Sequence, residues 1–144
     1  MPFQWLEMRI TEEKDRRRRE AQIRERLPRA LDDLHAALSA CISAYTQAFG
    51  AESAALSRDD GHIRITVNEQ RNQTWKPAAT VEIASDPLLP GFRIARGEQS
   101  LEIEVGMLPN DKVYYRDREL DQFVTIEELT RRILDRSFFP KLAA

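Results

Sequence analysis

The chain has 144 residues, 42% hydrophobic and 32% charged, with a net charge of -2 and a single cysteine. That is enough for one domain with its own core, and it excludes an internal disulfide and the one-signed, apolar-poor composition of a disordered chain. The net charge hides an asymmetry: residues 9–29 hold nine basic and five acidic side chains, so they contribute +4 and the remainder sums to -6, a split that can mark a polyanion-binding arm.

The opening MPFQWLEMRI is interrupted by Glu7 and Arg9. It holds no secretory apolar run, and no 18-residue apolar stretch occurs anywhere, so a cytoplasmic location is expected. Thr11 followed by Glu12 and Glu13 reads as a helix start, although Phe3, Leu6 and Ile10 extend the helical spacing back to Pro2. Together with Trp5 and Met8 these residues form a small apolar tip on a polar rod.

Between Thr11 and Arg26 only Ala21 and Ile23 are apolar, so no face of this segment can be buried against a core. Its helicity must come from charge. Glu12, Glu13, Asp15, Glu20 and Glu25 each have an arginine four positions later, in the favourable acid-first order, at roughly 0.3 to 0.5 kcal/mol per pair. Arg16 to Arg19 are successive, so at about 100° per residue they radiate around the helix instead of facing one groove. Nucleic acid is therefore disfavoured as a partner. Lys14, Arg18 and Arg26 are left over as cations for weak, salt-sensitive phosphate contact.

Pro28 lacks an amide donor and crowds the carbonyl of Arg24, which predicts a bend or a restart. From the preceding residue onward, Leu27, Leu31, Leu34, Leu38, Ile42, Tyr45 and Phe49 form one helical stripe that stops at Gly50. Ala30, Ala37, Ala44 and Ala48 run beside the stripe and would allow close approach to a sheet.

After Gly50 the period changes to two. Five strands are predicted around Ile63 to Val67, Val81 to Ile83, Phe92 to Ile94, Leu101 to Val105 and Val113 to Tyr115. Turn chemistry separates them at Asp59-Asp60-Gly61, Pro90-Gly91, Arg96-Gly97-Glu98 and Pro109-Asn110-Asp111. The connection over residues 70–77, with Trp75 and Pro77, is expected to be the longest loop. A short sixth strand near Leu120 to Val124 precedes a helix opened by a Thr125/Glu128 capping box and ended by Pro140.

The expected fold is α+β: a long kinked N-terminal helix packed on a five- to six-stranded antiparallel sheet, followed by a C-terminal helix. Residues 1–27 read as a charged helical arm with an apolar tip, and residues 28–144 as a single α+β domain.

No chemistry-bearing motif emerges. His35 and His62 have no metal-ligand spacing. Glu102 and Glu104 share the wet face of one strand, and Cys41 lies among alanines and isoleucine as a small packing residue. No catalytic residue, cofactor or metal is assigned. The expectation is a non-enzymatic protein-interaction module: an adaptor, chaperone-like binder or assembly component. It would contact a protein partner or a second copy through Phe3, Trp5, Leu6, Met8 and Ile10 on the N-terminal helix, with Arg18 as a free cation. Arg64, Arg93 and Tyr114 would rim a patch on the polar face of the sheet. The alternatives are an enzyme whose site is assembled at an interface, and peripheral membrane or weak polyanion binding through the arm.

Overall fold

A computed structural model describes residues 3–142 except 87, 89 and 111. Pro2 and Asp111, named above in a helix start and a turn, lie outside the described residues. Helix α1 (Gln4–Phe49) runs 46 residues and passes through Pro28 without a break. Of the two outcomes expected at Pro28, a bend or a restart, the restart does not occur: one missing amide removes a single hydrogen bond, and Leu27, Ala30 and Leu31 are buried on either side of it. Thr11 is not a cap, because the helix already starts at Gln4 and the Thr11 hydroxyl donates to the Glu7 carbonyl oxygen at 3.1 Å.

Seven strands follow: β1 (Ala54–Asp59), β2 (His62–Arg71), β3 (Thr74–Asp86), β4 (Gly91–Arg96), β5 (Gln99–Met107), β6 (Val113–Asp117) and β7 (Gln122–Val124). They pair in chain order, every neighbour antiparallel. Helix α2 (Ile126–Phe138) closes the chain, and its Thr125 side chain accepts from the Glu128 amide at 3.1 Å, as the capping box predicts.

Two expectations about the sheet are corrected. The described residues form seven strands, because Ala54–Asp59 pairs with β2. The sequence AALSRD offers only Leu56 as a large apolar residue, too little to show a period of two. Residues 70–77 are not a long loop. Asn72 and Gln73 have φ of 52° and 67°, the left-handed pair of a type I′ hairpin turn, so Trp75 and Pro77 lie within β3. The β2–β3 register shifts beside the proline: Val67 faces Ala79 and Asn68 faces Pro77, so Ala78 is the extra residue of a bulge, a place where sheets accept proline.

The registers put Ile63, Ile65, Val81, Ile83, Ile94 and Ile103 on one face, all fully buried. Leu27, Leu31, Leu34, Leu38 and Ile42 of α1, with Leu129, Ile133 and Leu134 of α2, cover that face. Both helices thus lie on one side of the sheet, an α+β arrangement of two layers. The other face is open.

Candidate functional site

The stretch of α1 before Leu27 carries ion pairs along its length, as the sequence suggests; the expected Glu13–Arg17 and Glu20–Arg24 pairs are present, the latter at 3.9 Å, and others are replaced. Glu13 accepts from Arg16 at 2.5 Å and from Arg17 at 3.1 Å, and Arg16 reaches forward to Glu20 at 2.5 Å. Glu12 pairs with Arg9 at 2.9 Å instead of Arg16. Asp15 takes Arg18 at 2.8 Å instead of Arg19, so Arg18 is not the free cation that was expected. Three- and four-residue spacings lie on the same helix face, and the shorter one wins at these positions. The hydrogen bonds from Arg16 and Arg17 pull the Glu13 carboxyl down to about 2, and Glu13 in turn raises Arg16 above its ordinary value.

Arg19, Gln22 and Ile23 line an open hollow together with Met107, Leu108 and Pro109 at the β5–β6 turn. From Gln4 to Arg19 the helix extends about 23 Å at 1.5 Å per residue. Its end carries five exposed apolar residues, among them Trp5 and Met8, each 64% exposed, with Phe3, Leu6 and Ile10. These five sequence-predicted residues share the N-terminal end of the helix.

Arg64, Arg93 and Tyr114 are elsewhere, on the open face of the sheet, which the sheet itself separates from both helices. Arg64 is bound to Glu82 at 2.8 Å, and Arg93 reaches Asp86 at 3.4 Å and Glu102 at 3.6 Å. Tyr114 lies over Gly106, where a Cβ would collide with its ring, and its edge meets exposed Phe123 at 5.2 Å between centroids. The ring shields a backbone position without a side chain of its own. Arg116 joins Glu104 at 2.7 Å and also Asp121, contacts that raise its pKa. The charges of this face are largely used on one another.

A third surface was not foreseen. Between the C-terminal end of α1 and the length of α2 lies an open groove of about 650 Å³, walled by Ala44, Ala48 and Phe49 on one side and Leu134, Phe138 and Phe139 on the other. Tyr45 stacks on Phe138 with centroids 4.1 Å apart and forms its floor. Ala44 and Ala48 are exposed here and do not pack on the sheet. The alanine pattern was the available signal, but the other wall comes from residues ninety positions later, which no local pattern reveals. Glu127, Glu128, Arg131 and Asp135 line its α2 side.

The wall formed by α2 is fixed by a polar contact on the packing face. Asp117, 1% exposed, accepts from Arg132 Nη1 at 2.9 Å and from the amides of Glu119 and Leu120 at 3.0 and 3.2 Å. Arg96 donates to the Arg132 carbonyl oxygen at 2.5 Å, and burial, then the nearby Arg136, lowers its pKa.

Among the described residues no group of histidine, cysteine and carboxylate side chains could hold a metal, and no helix is long and apolar enough to cross a membrane. No protein family, curated protein or solved structure matches the chain.

Proposed function

We propose that the protein is a non-enzymatic interaction module that engages its partner with the apolar tip of the α1 arm. One observation carries this reading: five large apolar side chains stand exposed at the end of a helix none of whose first fifteen residues is buried. At about 100° per residue, Phe3, Leu6 and Ile10 fall on one side of the helix and Trp5 and Met8 on the other. Each of the two sides offers a partner an apolar face to cover. The ion-pair ladder behind the tip supports a stiff rod in the absence of a buried face.

The test is photo-crosslinking in the native host. A benzophenone amino acid at position 5 is expected to give a discrete protein adduct, and the same group at exposed Ser57 on β1 is not. Equal, diffuse labelling from both positions would sink the reading.

A further inference from the structure

We infer that the tip is received by the groove between α1 and α2 of a second copy, in an antiparallel two-fold dimer. The inference rests on the reading of the arm as an interaction element and names its partner.

Tip and groove belong to the same uninterrupted helix. Met8 and Ala44 are separated along it by about 54 Å at 1.5 Å per residue, so a chain cannot fill its own groove. Two α1 helices laid antiparallel bring each tip to the other's groove. Setting Met8 opposite Ala44, where the large side chain fits over a small one, places the two-fold axis at Arg26 and Trp5 beside Ala48 of the second copy. At about 100° per residue Trp5, Met8, Arg19, Asp33, Ala44 and Ala48 fall within about 80° of one another, a single face.

Charge follows from that register without further adjustment. It sets Arg19 opposite Asp33, twice per dimer by symmetry. Both side chains are exposed, and neither has an ion-pair partner among the described residues. Their neighbours differ: Arg18 is taken by Asp15 and Asp32 by Arg58 at 2.5 Å. The two unmatched charges on this face thus complement each other across the axis. Arg26 meets its own mate, and its exposed side chain is long enough to keep its charge in water.

Sedimentation of the full chain over a concentration series tests this. The mass is expected to rise from 16.7 kDa towards twice that value. Arg19→Asp should weaken the dimer about tenfold, and adding Asp33→Arg should restore it. In a Cys41→Ser background, Met8→Cys with Ala44→Cys should form an interchain disulfide on mild oxidation, whereas either cysteine alone should not. A chain that stays monomeric at about 100 µM, or a dimer indifferent to Arg19→Asp and lacking the crosslink, overturns the inference. A monomer whose position 5 still crosslinks to another host protein removes the second copy as partner and leaves the module reading standing. A monomer with no adduct removes both.

Discussion

Asp117→Ala gives the sharpest test of how the groove is held in shape. The carboxylate serves three donors, the Arg132 guanidinium and the amides of Glu119 and Leu120, from a position 1% exposed. Breaking a buried pair by removing one partner costs about 3 to 5 kcal/mol. Here Arg132 keeps Glu128 at 3.4 Å and Gln122 at 3.0 Å, and the turn amides gain some access to water, so the low end, about 3 kcal/mol, applies. For a domain of this size that corresponds to a fall in melting temperature of about 6 to 12 °C. Asp117→Asn keeps an acceptor for the turn and loses only the charge, so it should recover about half of the loss. Urea denaturation followed by circular dichroism measures both. A loss below about 1 kcal/mol for the alanine variant would show that α2 is held by its apolar face alone.

The remaining predictions concern the sheet and the arm. Gly91→Ala drives a Cβ into the carbonyl oxygen of Ile103, which is backbone, whereas the same change at Gly106 meets only the Tyr114 ring, which can swing away. Alanine should therefore cost about 3 kcal/mol at Gly91 and about 1 kcal/mol at Gly106, and equal losses in urea denaturation would contradict the packing described. Glu13, lowered from 4.5 to about 2 by Arg16 and Arg17, supports the arm while it is ionised. Its contribution is complete above pH 4.5 and is lost as the pH falls towards 2. Helicity of a peptide spanning residues 3–27 should fall over that range, and more so in Glu13→Gln at neutral pH than in Arg18→Gln; a flat profile would mean that charge does not hold the rod.

What the sequence revealed and what it withheld divide along one physical line. Patterns confined to neighbouring residues were readable: the Leu27 to Ile42 stripe, the alternation of β2 and β5, and the Thr125 cap all correspond to observed elements. Features decided by partners distant in the chain were not. β1 exists because β2 offers it an edge, and Pro77 lies in a strand beside a bulge at Ala78 that only the pairing with β2 creates. Arg18 looked free because two spacings compete for Asp15. The apolar tip was legible residue by residue, since nothing else in the first ten positions competes for it. The groove was not, because α1 and α2 meet only after the sheet is in place between them in the chain.

The central claim, that the tip is covered when the protein works, is tested most directly by Trp5 itself. With Trp75→Phe removing the other tryptophan, acrylamide quenching of the remaining fluorescence reports the exposure of position 5 alone. A Trp5 that is open to quencher in dilute protein and becomes shielded as the concentration rises, with Arg19→Asp shifting that transition to higher concentration, is the predicted result. A Trp5 that remains equally quenched from dilute to concentrated protein would contradict a second copy as its cover.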